Sequence, residues 1–583
     1  MNNNKETIKR LLHYIAPYRI SLVCAMLFAV TGISLSLSAP VLIGHAIDRI
    51  LGERNVDFHG ILKTALLLLF ITLVSAFFNW LMSVFANKIT YGTVKGMRTD
   101  AFSKLSRVPL SYIDSHSHGD MMGRIVTDTD LVSDGLYQGM TQLFGGVVTI
   151  LATLFFMLGM NPAIALVVVV LTPLSLFVAS FIAKRTHSMF SRQAKLQGEL
   201  SGFVREAVEN LKLIKAFGYE ESANNRFAQT NDKLKTVGIK AQFYSSLSNP
   251  ATRFVNNVVF CAVGVFGALN AIGAVHVFGA VLTVGEISAF LAYSNQYTKP
   301  FNEVTGVIPQ LQTAIASAAR IFALIDEPHE TVEAKAELSK TDGSVTMENV
   351  SFSYSPDSKL IEQLNLTVQK GNKIAIVGPT GCGKTTLINL LMRFYDVTSG
   401  NIRMNGTDIR AVTRKSVRDK YGMVLQETWL FSGTVRENIA YGKPEASLEE
   451  IKSASIAAYA HSFIERLPDG YDTVITEQGD NLSEGQKQLL CIARIMLLSP
   501  PMLILDEATS SIDTMTEQRI QKAFADLMKD KTSFVVAHRL STVRDADMIL
   551  VMKDGTIQQK GTHDELLKAG GLYSDLYYSN VHH

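Results

Sequence analysis

Eight consecutive residues combine glycines, a lysine and a threonine in a pattern that suits phosphate binding. Residues 378–385 read Gly-Pro-Thr-Gly-Cys-Gly-Lys-Thr, with the apolar run Ile374–Val377 before them and a helical pattern after them. Glycines let the backbone curl, so that successive N–H groups and a helix N-terminus face a phosphate group. In this context we expect Lys384 to contact the β- and γ-phosphates of a nucleotide and the Thr385 hydroxyl to bind Mg²⁺. The predicted nucleotide-binding residues here are Gly378, Pro379, Thr380, Gly381, Cys382, Gly383, Lys384, Thr385 and Thr386.

Two carboxylates end a second apolar run, Met502–Leu505. Carboxylates at the carboxyl end of a parallel strand point into the crevice where nucleotides bind. Asp506 is therefore a candidate Mg²⁺ ligand, and Glu507 a general base that orients and deprotonates the attacking water. Alone, such a pair is typical of an ordinary strand end that meets solvent. Its combination with the phosphate-binding pattern predicts ATP hydrolysis.

Cys382 lies inside the phosphate-binding pattern, beside Lys384, in surroundings that lower the pKa of a thiol. We therefore expect maleimide to inactivate the protein through Cys382, with protection by MgATP. The alternative is a thiol packed beneath the loop, which would not react. The other cysteines, Cys24, Cys261 and Cys491, have no spacing that suggests a metal site or a disulfide framework.

Together these motifs resemble the ATPase of the ABC transporter family, over residues Val345–Leu567. The stretch Asn481-Leu-Ser-Glu-Gly-Gln486 resembles the family signature. The resemblance implies that the signature completes the ATP site of a partner chain, so that these residues act in trans: Ser483, Gly485, Gln486 and the D-loop residue Asp513.

The same resemblance implies roles for single residues within this chain's own ATP site. Tyr354 matches the aromatic residue that stacks on adenine, Gln426 the glutamine that senses Mg²⁺, and His538 the histidine that contacts the γ-phosphate. The implied catalytic residues are Glu507, His538 and Gln426. The implied Mg²⁺ ligands are Thr385, Gln426 and Asp506.

Six stretches of the first 310 residues are apolar and long enough to cross about 30 Å of hydrocarbon. The first long connection carries six Lys or Arg residues from Lys88 to Arg124, and the second carries eleven from Lys184 to Lys240, whereas the three other links carry only Arg49 and Arg54. This bias predicts that both connections and both termini lie in the cytoplasm. The predicted spans are about Ile20–Ile43, Ile61–Phe85, Leu143–Met160, Ala163–Ala183, Val255–Val275 and Val281–Tyr297.

The long connections have apolar residues at helical spacing and few glycines, which predicts that the membrane helices extend into the cytoplasm. The alternative is a separate soluble domain inserted twice. The layout resembles the transmembrane domain of ABC exporters, including bacterial lipid flippases and multidrug exporters. It implies a multi-domain membrane protein: an all-α six-helix transmembrane domain over residues 1–325, a linker over 326–344, and an α/β ABC ATPase over 345–583.

One chain holds one phosphate loop and one signature, so the resemblance implies that two chains pair to close two ATP sites. The signature has Glu484 where the family usually has glycine. A negative charge there would face the partner's γ-phosphate, and about 2.4 kcal/mol of repulsion follows at ~7 Å and an effective dielectric of ~20. We therefore expect a second, different half-transporter as the partner, giving a heterodimer with this chain as the catalytic side. A homodimer is the alternative.

The resemblance implies ATP-driven export of an amphipathic or hydrophobic substrate, such as a drug, lipid or peptide, across the bacterial cytoplasmic membrane. An importer built on the same fold and an ATP-gated channel or regulator are the alternatives. A net charge of +2 indicates no nucleic-acid partner. A metal site at His116 and His118 is rejected, because helical ligand spacing is missing. Candidate cavity residues, each of which could instead serve helix packing, are Asn79, Trp80, Asn256, Asn257, Tyr293, Asn295, Gln296 and Tyr297.

Overall fold

The computed structural model describes residues 2–50, 56–272, 282–330, 336–338, 341–355, 360–425, 428–476, 479, 481–506, 513–536 and 543–581. It describes only the backbone of residues 2–3, 174–176, 179–180, 183–185, 187, 248–249, 252, 302, 305 and 579–581. The chain divides into two compact units: Met1–Ser106 with His118–Glu327, and Arg107–Ser117 with Pro328–His583.

The first unit consists of helices, several of them far longer than a membrane is thick. Phe58–Leu105 has 48 residues and Glu220–Ala271 has 52. At about 1.5 Å per residue each exceeds 70 Å, more than twice the hydrocarbon thickness of about 30 Å. The prediction of long helical extensions is therefore confirmed. The helices are Asn2–Ile15, Arg19–Leu37, Ala39–Asp48, Phe58–Leu105, His118–Ile125, Thr127–Gln138, Gly145–Met160, Pro162–Glu209, Leu211–Ala216, Glu220–Ala271 and Val284–Asp326, with Ala16–Tyr18 in a 3₁₀ turn and Gly139–Phe144 in a π-helical stretch.

Five stretches among the described residues are long and apolar enough to cross a membrane: Asn4–Asp48, Phe58–Leu105, His118–Met160, Arg253–Ala271 and Val284–Asp326. They coincide with five of the six predicted spans, although residues 273–281 at the edges of the last two lie outside the described part. The remaining prediction, Ala163–Ala183, falls in helix Pro162–Glu209, where the described apolar stretch Pro162–Pro173 is shorter.

Short polar side chains cap the N-termini of helices Phe58–Leu105 and Pro162–Glu209. Asp57 accepts a hydrogen bond from the Gly60 N–H, and Asn161 accepts from the Ala163 and Ile164 N–H groups, each satisfying amides that a helix leaves unpaired at its first turn. Asn161 separates helix Gly145–Met160 from helix Pro162–Glu209, and Pro162 suits the first helical position because it needs no N–H partner there.

The second unit contains a mainly parallel sheet of six strands and an antiparallel sheet of four. In spatial order the larger sheet is Thr556–Gly561, Met548–Lys553, Lys373–Val377, Thr532–Val536, Met502–Asp506 and Tyr421–Val424; the smaller is Ile361–Val368, Val345–Phe352, Ser399–Met404 and Thr407–Asp408; Gly433–Thr434 pairs with Val474–Ile475. The helices of eight or more residues are Lys384–Leu391, Leu448–Ala457, Glu484–Leu498, Thr514–Met528 and Leu572–Val581; the shorter ones are Leu110–Ser115, Arg414–Arg418, Val435–Ile439, His461–Ile464 and His563–Ala569.

The parallel strands place the predicted site residues at one edge. Lys373–Val377 pairs with Thr532–Val536, which pairs with Met502–Asp506, so that Ile376, Val536 and Asp506 are in register. Thr532–Val536 is buried along its whole length, as expected for a strand covered on both faces. The carboxyl ends of the three strands therefore meet at the edge where the phosphate loop begins.

From Pro328 onward the predicted linker belongs to the second unit, and two of its residues are fixed there. Helix Val284–Asp326 ends at the first linker residue, and the Glu330 carboxylate then forms ion pairs with Arg414 and Arg418. Leu338 is buried in the core and its N–H donates to the Ser416 hydroxyl. Residues 331–335 and 339–340 lie outside the described part.

Candidate functional site

The phosphate loop has a backbone that only glycine fits. Gly378, Gly381 and Gly383 have φ of 153°, 82° and 102°, in the region that other residues avoid. A Cβ atom at Gly378 would lie 2.2 Å from the Met552 carbonyl oxygen. Gly383 is the N-cap of helix Lys384–Leu391 and offers no side chain to its first turn. The helix thus presents its N–H groups at the loop, which is the arrangement that binds phosphate.

Lys384 holds its ammonium group over the same loop. Its Nζ donates to the Gly378 carbonyl at 2.8 Å and to the Pro379 carbonyl at 3.1 Å. The positive charge is therefore held against two carbonyl oxygens at the start of the loop. Lysine at this point adds a cation to a cradle that already favours an anion.

Cys382 is buried beneath the loop, contrary to the expectation of a reactive thiol. It is 4% exposed and its N–H donates to the Pro379 carbonyl at 3.3 Å. Burial raises the pKa of Cys382, and the nearby Lys384 charge only partly opposes this effect. The prediction of a lowered pKa is wrong, because it counted the cation and not the loss of solvent.

Tyr354 belongs to a cluster of three aromatic rings beside helix Lys384–Leu391, the loop helix, which follows the phosphate loop. Its ring meets those of Phe352 and Tyr395 edge-to-face, with centroids 4.9 and 5.0 Å away. Its hydroxyl lies 3.3 Å from the Thr386 Oγ1 and accepts a hydrogen bond from Asn389 at 3.1 Å. The ring remains half exposed, so that one surface is open to a planar ligand.

The sequence analysis did not predict that Asp114 binds this aromatic cluster. The Tyr395 hydroxyl donates to the carboxylate of Asp114, on the short helix Leu110–Ser115. Burial, followed by this carboxylate, raises the pKa of Tyr395. The contact joins residues 281 positions apart, and no local pattern in the sequence signals it. His116, considered for a metal site, stacks on Tyr112 instead, with ring centroids 4.1 Å apart.

Asp506 is the last residue of strand Met502–Asp506, at the carboxyl ends of the parallel strands where the phosphate loop begins. Thr385 lies in the first turn of the loop helix. A hydroxyl and a carboxylate are oxygen ligands that suit Mg²⁺. The other predicted members of this group, Gln426, Glu507 and His538, lie outside the described residues.

The signature residues are organised as a helix start. Ser483 and Gln486 form a capping box: the Gln486 N–H donates to the Ser483 Oγ, and the Ser483 N–H donates to the Gln486 Oε1 at 2.9 Å. Gly485 follows in the first turn of helix Glu484–Leu498. Asp513 likewise caps helix Thr514–Met528, where the Thr516 N–H lowers the pKa of its carboxyl.

Glu484 is paired within its own helix. Its carboxylate accepts a hydrogen bond from the Lys487 Nζ at 2.8 Å. Lys487 is nearly buried, whereas the Glu484 side chain is 59% exposed. The local cation offsets the negative charge that was expected to repel a partner's γ-phosphate.

The phosphate loop and the signature pack on different parts of the hydrophobic core. Cys382 and Leu387 belong to the cluster around the four-stranded sheet, while Leu482 and Leu489 belong to a second cluster with helix Thr514–Met528. The two predicted nucleotide-binding segments therefore pack in separate hydrophobic clusters of the second unit.

Several candidate cavity residues of the first unit serve helix packing. The Tyr293 hydroxyl donates to the Leu37 carbonyl at 2.5 Å, and Asn79 donates to the Ser75 carbonyl. Tyr297 is buried beside Phe301. Gln296 Oε1 is buried without a hydrogen-bond partner among the described residues. The exposed candidates are Trp80, Asn257 and Asn295.

Comparison with known proteins agrees with both halves of this description. Residues 22–301 match the family model described as the ABC transporter transmembrane region, and residues 361–510 match the one described as ABC transporter. The structure of a bacterial Atm1-family ABC exporter with ATP bound superposes with a TM-score of 0.76 and 28% identity, covering 97% of this chain and 99% of that chain.

Relatives match over nearly the full length. A fatty acid ABC transporter ATP-binding/permease protein of Mycobacterium tuberculosis is 42% identical over 520 residues, 89% of this chain and 82% of the relative. An uncharacterized ABC transporter ATP-binding protein of Bacillus subtilis, YfiC, is 40% identical over 579 residues, 99% and 94% of the two chains. An ATP-dependent lipid A-core flippase of Desulfotalea psychrophila is 36% identical over 580 residues, 98% and 99%.

The chain therefore belongs to the ABC transporter family, as a multi-pass membrane exporter with its ATPase on the same polypeptide. It binds and hydrolyses ATP, and the resemblance seen in its sequence is confirmed. A soluble ABC protein, which would share only the ATPase, is excluded by the matching transmembrane region.

Proposed function

We propose that the chain exports amphipathic lipids that carry an acyl chain. The observation that carries this proposal is the 42% identity, over 89% of the chain, to a protein named as a fatty acid ABC transporter. A relative named as a lipid A-core flippase supports the same substrate class. Exposed Trp80, Asn257 and Asn295 add aromatic and polar surface to otherwise apolar spans, which suits a ligand with a polar head and an apolar body.

ATP binds between two chains in this proposal. The phosphate loop residues 378–386, with Lys384 as the cation, hold the triphosphate, and Tyr354 stacks on adenine. Ser483, Gly485, Gln486 and Asp513 of each chain reach the nucleotide held by the other. Glu507 acts as the general base, while His538 and Gln426 assist at the γ-phosphate.

Mg²⁺ accompanies ATP, and Thr385, Gln426 and Asp506 are the residues that would hold it. Bound by these residues, the ion would supply positive charge next to the phosphate oxygens. The hydroxyl of Thr385 and the carboxylate of Asp506 are ligands of the kind that this ion prefers.

The partner is a second half-transporter chain. A different chain remains our prediction, although the pairing of Glu484 with Lys487 weakens the electrostatic reason for it. We place the complex in the bacterial cytoplasmic membrane, with the ATPase and both termini in the cytoplasm, because Lys and Arg residues concentrate in the two long connections.

Transport into inside-out membrane vesicles tests the substrate and the direction together. We expect ATP-dependent uptake of a labelled fatty acid or phospholipid, and none with Glu507→Gln, since loss of a general base lowers the rate by about 10²–10⁴-fold. A cationic drug serves as the comparison substrate. Uptake by right-side-out vesicles alone would instead establish an importer, and full activity of Glu507→Gln would remove Glu507 from its proposed role.

A further inference from the structure

The second unit contains a cavity of about 180 Å³ that the proposed ATP site does not use. Lys373, Ile374 and Ala375, the first three residues of strand Lys373–Val377, line it. The phosphate loop follows the last residue of the same strand. At about 3.3 Å per residue the two ends of the strand are roughly 13 Å apart. The cavity therefore lies towards the end of the strand that is remote from the phosphate loop.

The cavity is enclosed between one face of the six-stranded sheet and one helix. Val535 pairs with Ala375 on one side and with Leu505 on the other, so these three side chains share a face of the sheet. Helix Thr514–Met528 covers that face. The helix residues that line the cavity are spaced three or four apart, on one side of the helix: Gln521, Phe524, Ala525 and Met528.

The space stays open because two hydrophobic clusters meet there without closing. Leu505, Val535 and Phe524 belong to the cluster around helix Thr514–Met528, whereas Ala375 belongs to a second cluster beyond it. Ala525 remains exposed, although its neighbour Phe524 is only 6% exposed. Small side chains at this junction leave room that longer ones would fill. A preformed, mainly apolar cavity of this kind suits a ligand with an apolar body.

The charged groups around the cavity favour a negatively charged head on that ligand. Among the described residues, the Lys373 ammonium group has no carboxylate within ion-pair distance. The Lys373 backbone N–H, by contrast, donates to the Asp547 carboxylate at 2.8 Å. Asp545, the acidic residue that lines the cavity, has Arg544 as a partner at 3.8 Å. The described lining therefore leaves one cation, Lys373, for a bound anion.

We propose that this cavity binds a small apolar carboxylate, with its carboxylate at Lys373 and its hydrocarbon part between the sheet and helix Thr514–Met528. A cavity of about 150 Å³ holds benzene, so this one suits roughly six to eight carbon atoms. A ligand that binds only the folded chain stabilises the elements that it joins. Here these elements are the strand that ends at Asp506 and the helix that Asp513 caps. The inference is independent of which substrate the transporter exports.

Photolabelling of the full transporter in phosphatidylcholine nanodiscs tests the site, with a diazirine-bearing eight-carbon carboxylic acid as the probe. Irradiation should label the tryptic peptide Ala523–Lys529, and octanoate should compete. Hexanoate should compete about 16-fold less well, because each buried CH₂ group contributes about fourfold to binding. 1-Octanol, which has the chain without the charge, should compete about tenfold less well than octanoate.

Lys373→Gln should weaken competition by octanoate about tenfold and leave competition by 1-octanol unchanged, whereas Lys373→Arg should keep both. The matched control is Lys370→Gln, the same change of charge at an exposed position outside the cavity lining, which should behave like the unmodified chain. Ala525→Leu should prevent labelling of the peptide, because it fills the space. The ATPase activity of each variant reports separately that the second unit is folded.

Equal competition by octanoate and octylamine would overturn the proposal, because the site would then not distinguish a negative head from a positive one. Unchanged competition by octanoate in Lys373→Gln would overturn it as well. Labelling of other peptides with none on Ala523–Lys529 would show that the carboxylate binds elsewhere in the transporter.

Discussion

Among single residues, Tyr354 has the most direct physical connection to nucleotide binding. It stands half exposed at the rim of the phosphate loop, and Phe352 and Tyr395 hold its ring in place. A base stacked on an aromatic ring gains about 1–3 kcal/mol. Removing the ring should therefore weaken nucleotide binding without touching the residues that hydrolyse it.

We expect Tyr354→Ala to raise the KM for ATP by about tenfold or more, at nearly unchanged kcat. Tyr354→Phe keeps the ring and loses the hydroxyl contacts to Thr386 and Asn389, so its KM should stay within about twofold of the original. Steady-state ATPase assays over a range of ATP concentrations measure both constants. An equal loss in the two variants would assign the effect to the hydroxyl and contradict stacking.

Cys382 should be slow to react, because its burial raises the pKa and leaves little thiolate at neutral pH. We expect iodoacetamide to label it much more slowly at pH 7 in the folded protein than in guanidinium. Labelling should accelerate as the pH rises towards the raised pKa. Mass spectrometry of the loop peptide gives the rate, and Cys382→Ser should retain most ATPase activity. Fast labelling of the folded chain at pH 7 would show that the thiol is accessible.

At the scale of elements, helix Glu484–Leu498 combines a capping box with an ion pair in its first turn. The cap fixes the direction in which the N–H groups of Ser483 and its neighbours point. Lys487 then offsets the charge of Glu484 at the end that faces a partner's ATP in the proposed dimer. The function of this helix thus depends on a pair of residues one turn apart.

Lys487→Gln should lower ATPase activity, because it leaves Glu484 uncompensated near the triphosphate. At a separation of ~7 Å the repulsion is about 0.6 kcal/mol in water and about 2.4 kcal/mol at an effective dielectric of 20, or about threefold to sixtyfold in rate. Glu484→Gln added to Lys487→Gln should restore activity. ATPase rates of the four combinations form a double-mutant cycle. Equal losses with and without Glu484 would show that Lys487 acts through packing alone.

The short helix Leu110–Ser115 is the second element that is linked to the proposed ATP site. It belongs to the ATPase unit through Asp114, which accepts the hydrogen bond from Tyr395. Tyr395 in turn contacts Tyr354, so a single aromatic side chain lies between this helix and the proposed adenine site. Helix Leu110–Ser115 therefore lies in the ATPase unit beside Tyr395, and Tyr395 contacts Tyr354, the residue proposed to stack on adenine.

At the scale of the whole molecule, one chain supplies one phosphate loop and one signature. Co-expression of differently tagged copies tests the partner. If the partner is a different chain, as predicted, tagged copies of this chain alone should not purify as an active pair, and addition of the second half-transporter should restore ATP-driven uptake. A stable pair of identical chains with full coupled transport would contradict the heterodimer.

The sequence alone determined the family, the ATPase motifs and most of the membrane spans. These depend on contiguous residues: the pattern at 378–385 is the one that places neighbouring backbone N–H groups round a phosphate, and a span is recognisable from about 20 apolar residues in a row. The apolar run Ile374–Val377 lies within strand Lys373–Val377 for the same reason, since a short apolar run before a glycine-rich loop is a local pattern.

Only the tertiary structure decided how individual side chains behave. Burial reversed the expected pKa shift of Cys382, because solvent exclusion depends on what packs around the loop. Contacts between distant positions, such as Tyr395 with Asp114 and Arg10 with Asp326, have no local pattern in the sequence. The ion pair between Glu484 and Lys487 is close in sequence, yet its effect depends on Lys487 being nearly buried. Motif chemistry is encoded locally, whereas charge compensation and accessibility depend on the packing of the folded chain.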